Sequence, residues 1–560
     1  MTATKGRPRL GVVGAAVGAV LGLIVLGPAL MPGYTLHYDL VFVPDLPLSA
    51  RTLGTDGSVP RAVPNDLVVA LLGLVLPGWV VQKLVLLGAF VIGGAGAGRF
   101  ARTLPGAVAA ATLWSWNSWV GERLGIGHWG YLIGFAVLPW VLVAATRTRE
   151  RRGRALLVAS LTGAALGGST PGVLATLLAV VTVAALAGSL RQRVEDLALV
   201  IGVAALANAA WWWPFLRSSP RVADVTGTSA FAAGGDTPFG VVGSLLLGGG
   251  LWNDRTWFVE RTTWPVAVVA LVMVAALLVL ALRRRSWWRD PACRGASIAG
   301  LIGLLLAALA ALPGGAGLLE LLVTRIPGGG LLRDGQKFAA LWVLLLAVAT
   351  AVVVDRMVER RLPALPMVVA VLWPVATLPS LAWGHSSAWA SVDYPQDVLT
   401  VAHEVGRSGE PAAVFPWSTY RRYAWDGDRV VLDPWNRLLP QTVVSDDRLP
   451  LRDRSVTGED PGAARVTQSL GEGGDTVAVL RAQCVRWVIV QTDQPSPRGS
   501  VPNLAGLPVR TVGDLRVHDL GASTLSTPPA DPWRSAGLFG TAVAVLTSLV
   551  LVLRQRRDET

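Results

Sequence analysis

Charged residues are scarce in this chain, since Asp, Glu, Lys and Arg together make up 15% of its 560 residues. Soluble domains carry roughly 25%, so the deficit excludes an ordinary soluble protein. Apolar runs of about 20 residues, each long enough to cross a bilayer, recur from end to end. The first run, residues 10–30, is longer than the apolar part of a signal peptide, and we predict a retained helix there.

Cysteine is also scarce, with Cys293 and Cys484 the two in the chain. The first lies beside a basic loop and the second in a polar segment, so we expect them unpaired, on opposite sides of a membrane. A disulfide framework and a cysteine-based metal site are therefore excluded. The sequence has no phosphate-binding loop, nucleophile elbow or paired-histidine metal motif, so no competing soluble-enzyme motif appears.

The net charge of +12 comes largely from arginines that cluster between the apolar runs. Basic clusters stay on the cytoplasmic side of a membrane protein, whereas a nucleic-acid-binding protein gathers them on one soluble face. We therefore predict topology from them and no nucleic-acid partner. Placing all of these arginine clusters on the cytoplasmic side gives about 12 spans with both termini cytoplasmic. The clusters are Arg147 to Arg154, Arg191 with Arg193, Arg283 to Arg285, Arg356 to Arg361, and Arg554 to Arg557.

Residues 385–534 are polar, with short alternating runs at 412–415, 429–432 and 486–490 that predict strands, and residues 398–405 predict a helix. The predicted fold class is mainly α: a polytopic helical membrane protein with a small extracytoplasmic α/β domain. The predicted domains are a membrane core (1–384), the α/β domain (385–534), and a final transmembrane helix with a cytoplasmic tail (535–560). We expect the chain in the plasma membrane, in contact with the lipid bilayer.

The loop after the first predicted span carries Asp39 and Asp45 near the membrane surface. A carboxylate there could act as a general base for an acceptor hydroxyl, or hold a divalent cation. The alternative is that both are exposed loop acids. The residues predict no other cofactor.

A short loop between the third and fourth spans carries Glu122, Arg123 and His128 among glycines. Histidine titrates near neutral pH and can move protons, so this loop is a candidate site; the alternative is helix capping and interfacial anchoring. Trp129 belongs to a tryptophan-rich stretch with Trp114, Trp116 and Trp119. Tryptophans at span ends form an interfacial belt, and the alternative here is stacking on a sugar ring or a lipid carrier.

A third candidate segment contains Arg333, Asp334 and Lys337 before the tenth span. Arg333 and Lys337 are four residues apart and would share a helix face. At a helix N-terminus they would bind an anion such as the phosphate of a lipid-linked sugar. The alternative is an exposed pair of Asp334 with Lys337.

Together these segments resemble the GT-C superfamily of membrane glycosyltransferases and, more narrowly, the membrane core of the actinobacterial α-(1→3)-arabinofuranosyltransferases. The resemblance implies a base role for Asp39 and donor or acceptor contacts from Glu122, His128, Arg333 and Lys337. The stretches that carry it are Tyr38-Asp39-Leu40-Val41, residues 77–83 with Gln82-Lys83, Gly127-His128-Trp129, Leu138-Pro139-Trp140, residues 332–338, and residues 415–420, 433–434 and 484–489.

The function that the resemblance implies is transfer of a sugar, arabinofuranose or mannose, from a polyprenyl-phosphate donor to a cell-envelope glycan or lipid acceptor. Two alternatives remain open at this point. A transporter or flippase of envelope lipids would need a polar path, yet the spans carry few acids or bases, and the main exception, Lys83, could snorkel. A non-catalytic assembly protein would need the domain at 385–534 but neither Asp39 nor Glu122.

Overall fold

The computed structural model describes residues 7–60, 62–216, 226–451, 455–522 and 531–557. Helices make up most of the chain before residue 388. They are α1 (Arg7–Leu26), α2 (Asn65–Gly73), α3 (Gly78–Ala97), α4 (Leu104–Ser115), α5 (Ser118–Gly125), α6 (Trp129–Ala145), α7 (Arg151–Leu166), α8 (Ser169–Ala184), α9 (Leu190–Ala207), α10 (Ala209–Phe215), α11 (Thr226–Ala230), α12 (Gly240–Leu246), α13 (Trp264–Leu282), α14 (Arg285–Arg289), α15 (Pro291–Ala308), α16 (Gly315–Arg325), α17 (Ala339–Glu359), α18 (Ala364–Ala376) and α19 (Ala382–Ser387).

The second half of the chain contains the strands, apart from β1 (Tyr34–Thr35) in the first loop. We call residues 391–519 the strand-containing region. Its elements are β2 (Ser391–Val392), α20 (Gln396–Ser408), β3 (Ala412–Phe415), β4 (Tyr420–Arg422), β5 (Val430–Leu432), α21 (Trp435–Leu438), β6 (Val443–Val444), β7 (Leu449–Pro450), β8 (Ser455–Val456), α22 (Pro461–Glu472), α23 (Thr476–Arg481), β9 (Trp487–Gln491), β10 (Val509–Val512) and β11 (Leu515–Asp519); α24 (Pro532–Arg557) follows it.

Within the described residues, six helical segments are long and apolar enough to cross a membrane. The number is up to eight if each of two bent pairs is one span: α9 with α10, bent by 73°, and α18 with residues 379–387, bent by 62°. The six segments are Arg9–Leu30, Gly78–Phe100, Trp264–Leu282, Pro291–Ala311, Gly335–Glu359 and Pro532–Gln555. These helices make the chain a membrane-embedded protein.

The predicted number of about 12 spans is not confirmed. The four remaining predicted positions fall on α4, with 12 residues, on α6, with 17, and on α7 and α8, with 16 each. These helices are shorter than the roughly 20 residues that a straight span needs. The periodicity of apolar residues predicted helices at these positions, but it did not predict their length.

Helix α17 is the central helix of the bundle and packs against α4, α13 and α15. Nearly all of its residues from Ala339 to Asp355 are buried. A helix that is enclosed by protein on every side needs an apolar surface all round, as this sequence has. The 3-10 turn Gly335–Phe338 leads directly into it, so the rigid start of α17 fixes that turn in place.

Helices α1 and α3 cross at very short range because glycines face each other at the crossing. A Cβ atom on Gly14 would lie 2.1 Å from the carbonyl oxygen of Gly94, and one on Gly18 would lie 2.2 Å from that of Phe90. Small residues allow membrane helices to approach closely enough for backbone contact. The crossing holds the start of the first loop, which leaves α1, against α3.

The strand-containing region is built on a five-stranded mixed sheet with the order β10-β11-β9-β3-β6. Strand β3 is parallel to both β6 and β9, while β9, β11 and β10 are antiparallel neighbours. Helix α20 turns Val398, Val401, Ala402 and Val405 inward, which is the spacing of one helix face. The predicted strands and helix of this region are confirmed, whereas the three domain boundaries remain a prediction.

The first loop is joined to the strand-containing region by backbone hydrogen bonds. Strand β1 pairs antiparallel with β2. Further along the loop, the amide of Tyr38 donates to the carbonyl of Val430, and its carbonyl accepts from the amide of Leu432, at 2.8 Å for the second bond. Tyr38 therefore forms an isolated parallel bridge on the edge of β5.

Lys83 does not snorkel toward a lipid surface, contrary to the prediction. Its buried Nζ donates to Thr35 Oγ1 at 3.1 Å, Gln82 Oε1 at 3.0 Å and Ser391 Oγ at 3.0 Å. The amide of Gln82 also exchanges two hydrogen bonds with the backbone of Thr35. An ammonium group has three donors, and these three acceptors tie β1 and β2 to α3.

Two of the predicted interfacial tryptophans are instead core residues stacked on the same phenyl ring. The ring centroids of Trp114 and Trp119 lie 3.8 Å and 4.5 Å from that of Phe135. Trp116 is also buried and donates its indole N–H to the carbonyl of Leu378. These rings pack between helices, so neither an interfacial belt nor sugar stacking describes them.

Candidate functional site

The backbone around Asp39 is fixed by a tight turn in the first loop. Tyr38 adopts a left-handed conformation with φ of +42°, and the amide of Asp39 donates to the carbonyl of Ile126 at 3.1 Å. Opposite it, a Cβ atom on Gly127 would lie 2.1 Å from the amide nitrogen of Leu40, and the φ of Gly127 is +80°. Only glycine allows this approach, which places Asp39 beside the predicted loop at residues 122–128.

The carboxylate of Asp39 lies between two donors. The hydroxyl of Tyr420 donates to Oδ1 at 2.9 Å, and Nε2 of His128 lies 3.3 Å from Oδ2. About a third of the Asp39 side chain is exposed, at 36%, so it remains accessible. The structure thus brings together Asp39 and His128, which are 89 residues apart in the sequence.

Arg123 fixes which nitrogen of His128 carries the hydrogen. Its Nη1 lies 2.9 Å from Nδ1 of His128, and a guanidinium can only donate. Nδ1 must therefore accept, which leaves the hydrogen on Nε2, the nitrogen that faces Asp39. A buried arginine thus orients the imidazole from behind, as a partner of a histidine does at many functional sites.

The same guanidinium binds Asp334 in a bidentate pair. Nη1 and Nη2 donate to the two carboxylate oxygens at 2.6 Å and 2.9 Å, and Nε donates to Gln336 Oε1 at 3.1 Å. Arg123 is fully buried and Asp334 is nearly so. A bidentate charged pair with further hydrogen bonds is a geometrically specific contact, so the second and third predicted segments form one network.

Glu122 lies deeper, in a buried group with an acid and a base from the long loop before α13. Its carboxylate accepts from the amides of Gly250 at 3.2 Å and Leu251 at 2.9 Å, and from Gln336 at 3.2 Å. Arg261 binds both oxygens of the neighbouring Asp236. Glu122 is 0% exposed, so it has no access to a substrate in this conformation.

The environment shifts the carboxyl groups in different directions. Burial favours the neutral form of Asp39, but the contacts with His128 and Tyr420 outweigh it and lower the pKa. Burial also acts on Asp334, where the charge of Arg123 outweighs it and lowers the pKa. For Glu122, burial and the nearby charge of Asp236 raise the pKa well above the usual value. Asp39 is therefore ionised at neutral pH, whereas its surroundings favour the neutral form of Glu122.

Arg333 and Lys337 do not share a helix face, contrary to the prediction. Arg333 follows the 3-10 turn Gly329–Leu332, Lys337 belongs to the turn Gly335–Phe338, and α17 begins two residues later. Nη2 of Arg333 pairs with Oε1 of Glu459 at 3.1 Å. The predicted exposed pair of Asp334 with Lys337 is also wrong, because Arg123 binds Asp334.

Lys337 is buried and points toward α8. Its Nζ lies 3.4 Å from Thr170 Oγ1, which lies 3.1 Å from the hydroxyl of Tyr131. The ring of Tyr131 is in turn 4.7 Å from that of His128. Lys337 therefore lies behind the imidazole, next to the network rather than in an open anion site.

Two candidate residues from the sequence, Asp45 and Trp129, lie apart from the hydrogen-bond network of Arg123. Asp45 is exposed, and within the described residues no ion pair joins it to Arg123 or His128. Trp129 is buried, with its ring 5.0 Å from that of Phe42, so it packs the first loop against α6.

Both cysteines, Cys293 and Cys484, are free.

A divalent cation does not fit the residues around Asp39. Across the described ranges, no group of three or more His, Cys, Asp or Glu side chains is arranged to hold a metal ion. The two oxygens of Asp39 face a phenol hydroxyl and an imidazole N–H. Donor hydrogens would repel a cation at those positions, so no step is assigned to a metal.

Asp236, Arg261, Gln336 and Tyr420 were missed as site residues by the sequence analysis. Gln336 and Tyr420 lie inside segments that carried the resemblance, so the segments were informative although the individual roles were not assigned. Asp236 and Arg261 are 25 residues apart in a long loop. No local spacing indicates that they pair, and only the fold brings them to Glu122.

Comparison with solved structures finds the same fold in a mycobacterial enzyme. The structure of the arabinofuranosyltransferase AftD from mycobacteria matches with a TM-score of 0.57 and 20% identity over 92% of this chain. Two structural classes of a mutant of AftD match with TM-scores of 0.56 and 0.54, at 19% and 18% identity, over 92% and 93% of this chain. The predicted resemblance to a GT-C arabinofuranosyltransferase is thereby confirmed at the level of the fold.

The chain spans about 40% of the length of AftD. No protein-family model matches the sequence, and no curated protein sequence matches it.

Proposed function

We propose that the protein is a membrane glycosyltransferase with Asp39 as its catalytic base. It takes a sugar, arabinofuranose or mannose, from a polyprenyl-phosphate donor and transfers it to a cell-envelope glycan or lipid acceptor on the outer face of the membrane. The observation that carries the proposal is the ionised, partly exposed carboxylate of Asp39, held in the first loop of this fold by His128 and Tyr420.

The proposed reaction needs one proton acceptor and one leaving group. The acceptor hydroxyl loses its proton to Asp39 while its oxygen forms a bond to the anomeric carbon of the donor sugar. The bond between that carbon and the phosphate oxygen breaks, and the polyprenyl phosphate leaves with both electrons. An ionised carboxylate within hydrogen-bond reach of the hydroxyl is the chemical requirement for this step.

The remaining residues hold Asp39 rather than react. His128 directs its Nε2 hydrogen at Oδ2 because Arg123 occupies the other nitrogen, and Arg123 is held by Asp334 and Gln336. Preorganisation of this kind lowers the barrier, since the base does not have to be reoriented in each turnover. We assign Arg333 to the leaving phosphate, for which it exchanges Glu459, whereas Lys337 is buried behind the imidazole and receives no direct contact with the phosphate.

Transfer assays with Asp39→Asn test the proposal. Membranes that contain the wild type or the variant are given a panel of polyprenyl-phosphate sugars and a cell-envelope acceptor, and the product is quantified. We expect wild-type transfer from one donor and a loss of about 100-fold or more in the variant, because general base catalysis contributes roughly 10²–10⁴-fold.

Asp56→Asn is the matched control, with the same substitution in the same loop. Asp56 is exposed and its carboxylate accepts from Ser58, so we expect full transfer. Equal rates for the wild type and Asp39→Asn would remove Asp39 as the base. No transfer from any donor by the wild type would refute the glycosyltransferase assignment and favour a transporter or an assembly protein.

A further inference from the structure

The strand-containing region contributes a side chain to the candidate site. Tyr420 begins β4, which pairs antiparallel with β5 so that Tyr420 lies opposite Leu432. On the other edge of β5, the amide of Leu432 donates to the carbonyl of Tyr38. The first loop and β4 are thus the two neighbours of one strand, which brings Tyr420 next to Asp39 although they are 381 residues apart.

The contact between them is held by the surrounding packing. The ring of Tyr38 meets that of Tyr420 edge to face, with centroids 6.3 Å apart, and the hydroxyl of Tyr420 reaches Asp39 Oδ1 at 2.9 Å. His128 lies on the other oxygen. A carboxylate has about four lone-pair sites, so two donors fix its rotamer and leave acceptor capacity on each oxygen.

We propose that Tyr420 is a positioning residue that holds Asp39 Oδ1 and sets how readily this carboxylate takes up a proton. The strand-containing region then completes the site instead of only flanking it. The proposal rests on the proposed function, because it assigns to Tyr420 a role through Asp39 as the base. A phenol hydroxyl that donates to a carboxylate stabilises its charged form, so Tyr420 makes Asp39 a weaker base with a better-defined orientation.

The other ionisable groups around Asp39 lie at α6, on α21 and in the first loop itself. His128 at the start of α6 lies on Oδ2, and Arg437 on α21 adds a favourable charge although Asp66 pairs with it at 3.1 Å. His37 in the same loop and Tyr131 on α6 also sense the charge of Asp39. None of these groups changes in a Tyr420→Phe variant, so any shift in the pH dependence of activity reports the loss of the Tyr420 hydroxyl.

The first test is the pH dependence of sugar transfer by Tyr420→Phe. We expect the acidic limb of the kcat/KM profile to move to higher pH by about half to one unit, because a charge-assisted hydrogen bond is lost and water replaces part of it. Tyr423→Phe is the matched control: its hydroxyl donates to Gln491 at 2.7 Å in the same region, so the variant should keep the wild-type limb. An unshifted limb in an active Tyr420→Phe would overturn the proposal.

The second test does not need activity and separates this inference from the proposed function. Thermal unfolding midpoints are measured for the wild type, Tyr420→Phe, Asp39→Ala and the double variant. We expect Tyr420→Phe to lower the midpoint in the wild-type background and to lower it by less than half as much beside Asp39→Ala. Equal decreases in the two backgrounds would mean that Tyr420 acts on stability alone, which contradicts the proposal. A smaller decrease beside Asp39→Ala, together with no sugar transfer by the wild type, would refute the proposed function but retain the contact between Tyr420 and Asp39.

Discussion

Replacing Arg123 with leucine should destabilise the protein strongly and reverse part of its pH dependence. The substitution removes both hydrogen bonds to Asp334, both to Gln336 and the one to His128. It leaves the carboxylate of Asp334, of which 13% is exposed, without its counterion. Breaking a buried ion pair from one side destabilises a protein by about 3–5 kcal/mol.

Removing both partners should be far less harmful than the sum of the single changes. In an Arg123→Leu, Asp334→Leu double variant no buried charge is left over, so we expect a coupling free energy of about 2–4 kcal/mol. The assay is equilibrium unfolding in mixed micelles. Arg191→Leu is the control, because Arg191 pairs with Glu195 and both side chains are exposed, at 89% and 61%, and an exposed pair contributes about 1 kcal/mol or less.

The pH dependence of the free energy of unfolding distinguishes the two proteins most clearly. In the wild type, the charge of Arg123 holds the pKa of Asp334 below its usual value, so this contribution to stability is present at neutral pH and is lost as pH falls through the lowered pKa. In Arg123→Leu, burial is opposed only by the charges of Lys337 and His128, so the pKa of Asp334 rises above its wild-type value and the variant should gain stability relative to the wild type as pH falls from 7 to 5. A constant difference between the two proteins over that range would refute the assignment of Asp334 as the counterion.

Two further substitutions test neighbouring parts of the network. Glu122→Gln should keep the free energy of unfolding within about 1 kcal/mol of the wild type at pH 7, because burial and the charge of Asp236 raise the pKa of Glu122 and a neutral amide avoids the buried charge. Glu122→Leu should lose about 2–4 kcal/mol in the same unfolding assay by depriving buried N–H groups of their acceptor. Equal losses for both would contradict a neutral Glu122. Gly127→Ala should lose more than about 2 kcal/mol and most transfer activity, since the φ of +80° and the contact with Leu40 exclude a Cβ atom. Gly73→Ala, which meets nothing within 4 Å, is its control.

The sequence predicted which ionisable residues lie near the candidate site better than it predicted how they contact one another. Asp39, Glu122, Arg123, His128 and Asp334 stand out because ionisable residues are rare between apolar runs. These residues come together because they lie in short loops at the ends of helices that pack against each other. The relation between Arg333 and Lys337 could not be predicted, because the helix that would align them begins only at Ala339.

Packing partners were the least predictable part. An apolar pattern does not distinguish a tryptophan that faces lipid from one such as Trp114, which stacks on Phe135 inside the bundle. The role of Tyr420 depends on β5 pairing with a loop almost 400 residues earlier, and no local spacing reports that. Asp236 and Arg261, the acid and base beside Glu122, could not be predicted as partners either, since only the tertiary structure brings them together.

The pairing of the first loop with β2 and β5 has a consequence for biosynthesis. Asp39 leaves the ribosome early, but the strands that hold its loop, Ser391–Val392 and Val430–Leu432, are made hundreds of residues later. During that interval the loop must wait unpaired beside the inserted helices, because contacts of such sequence separation form late in folding. The site therefore becomes competent only after most spans are in place, so a half-inserted chain would hold the candidate base without the partners that orient it.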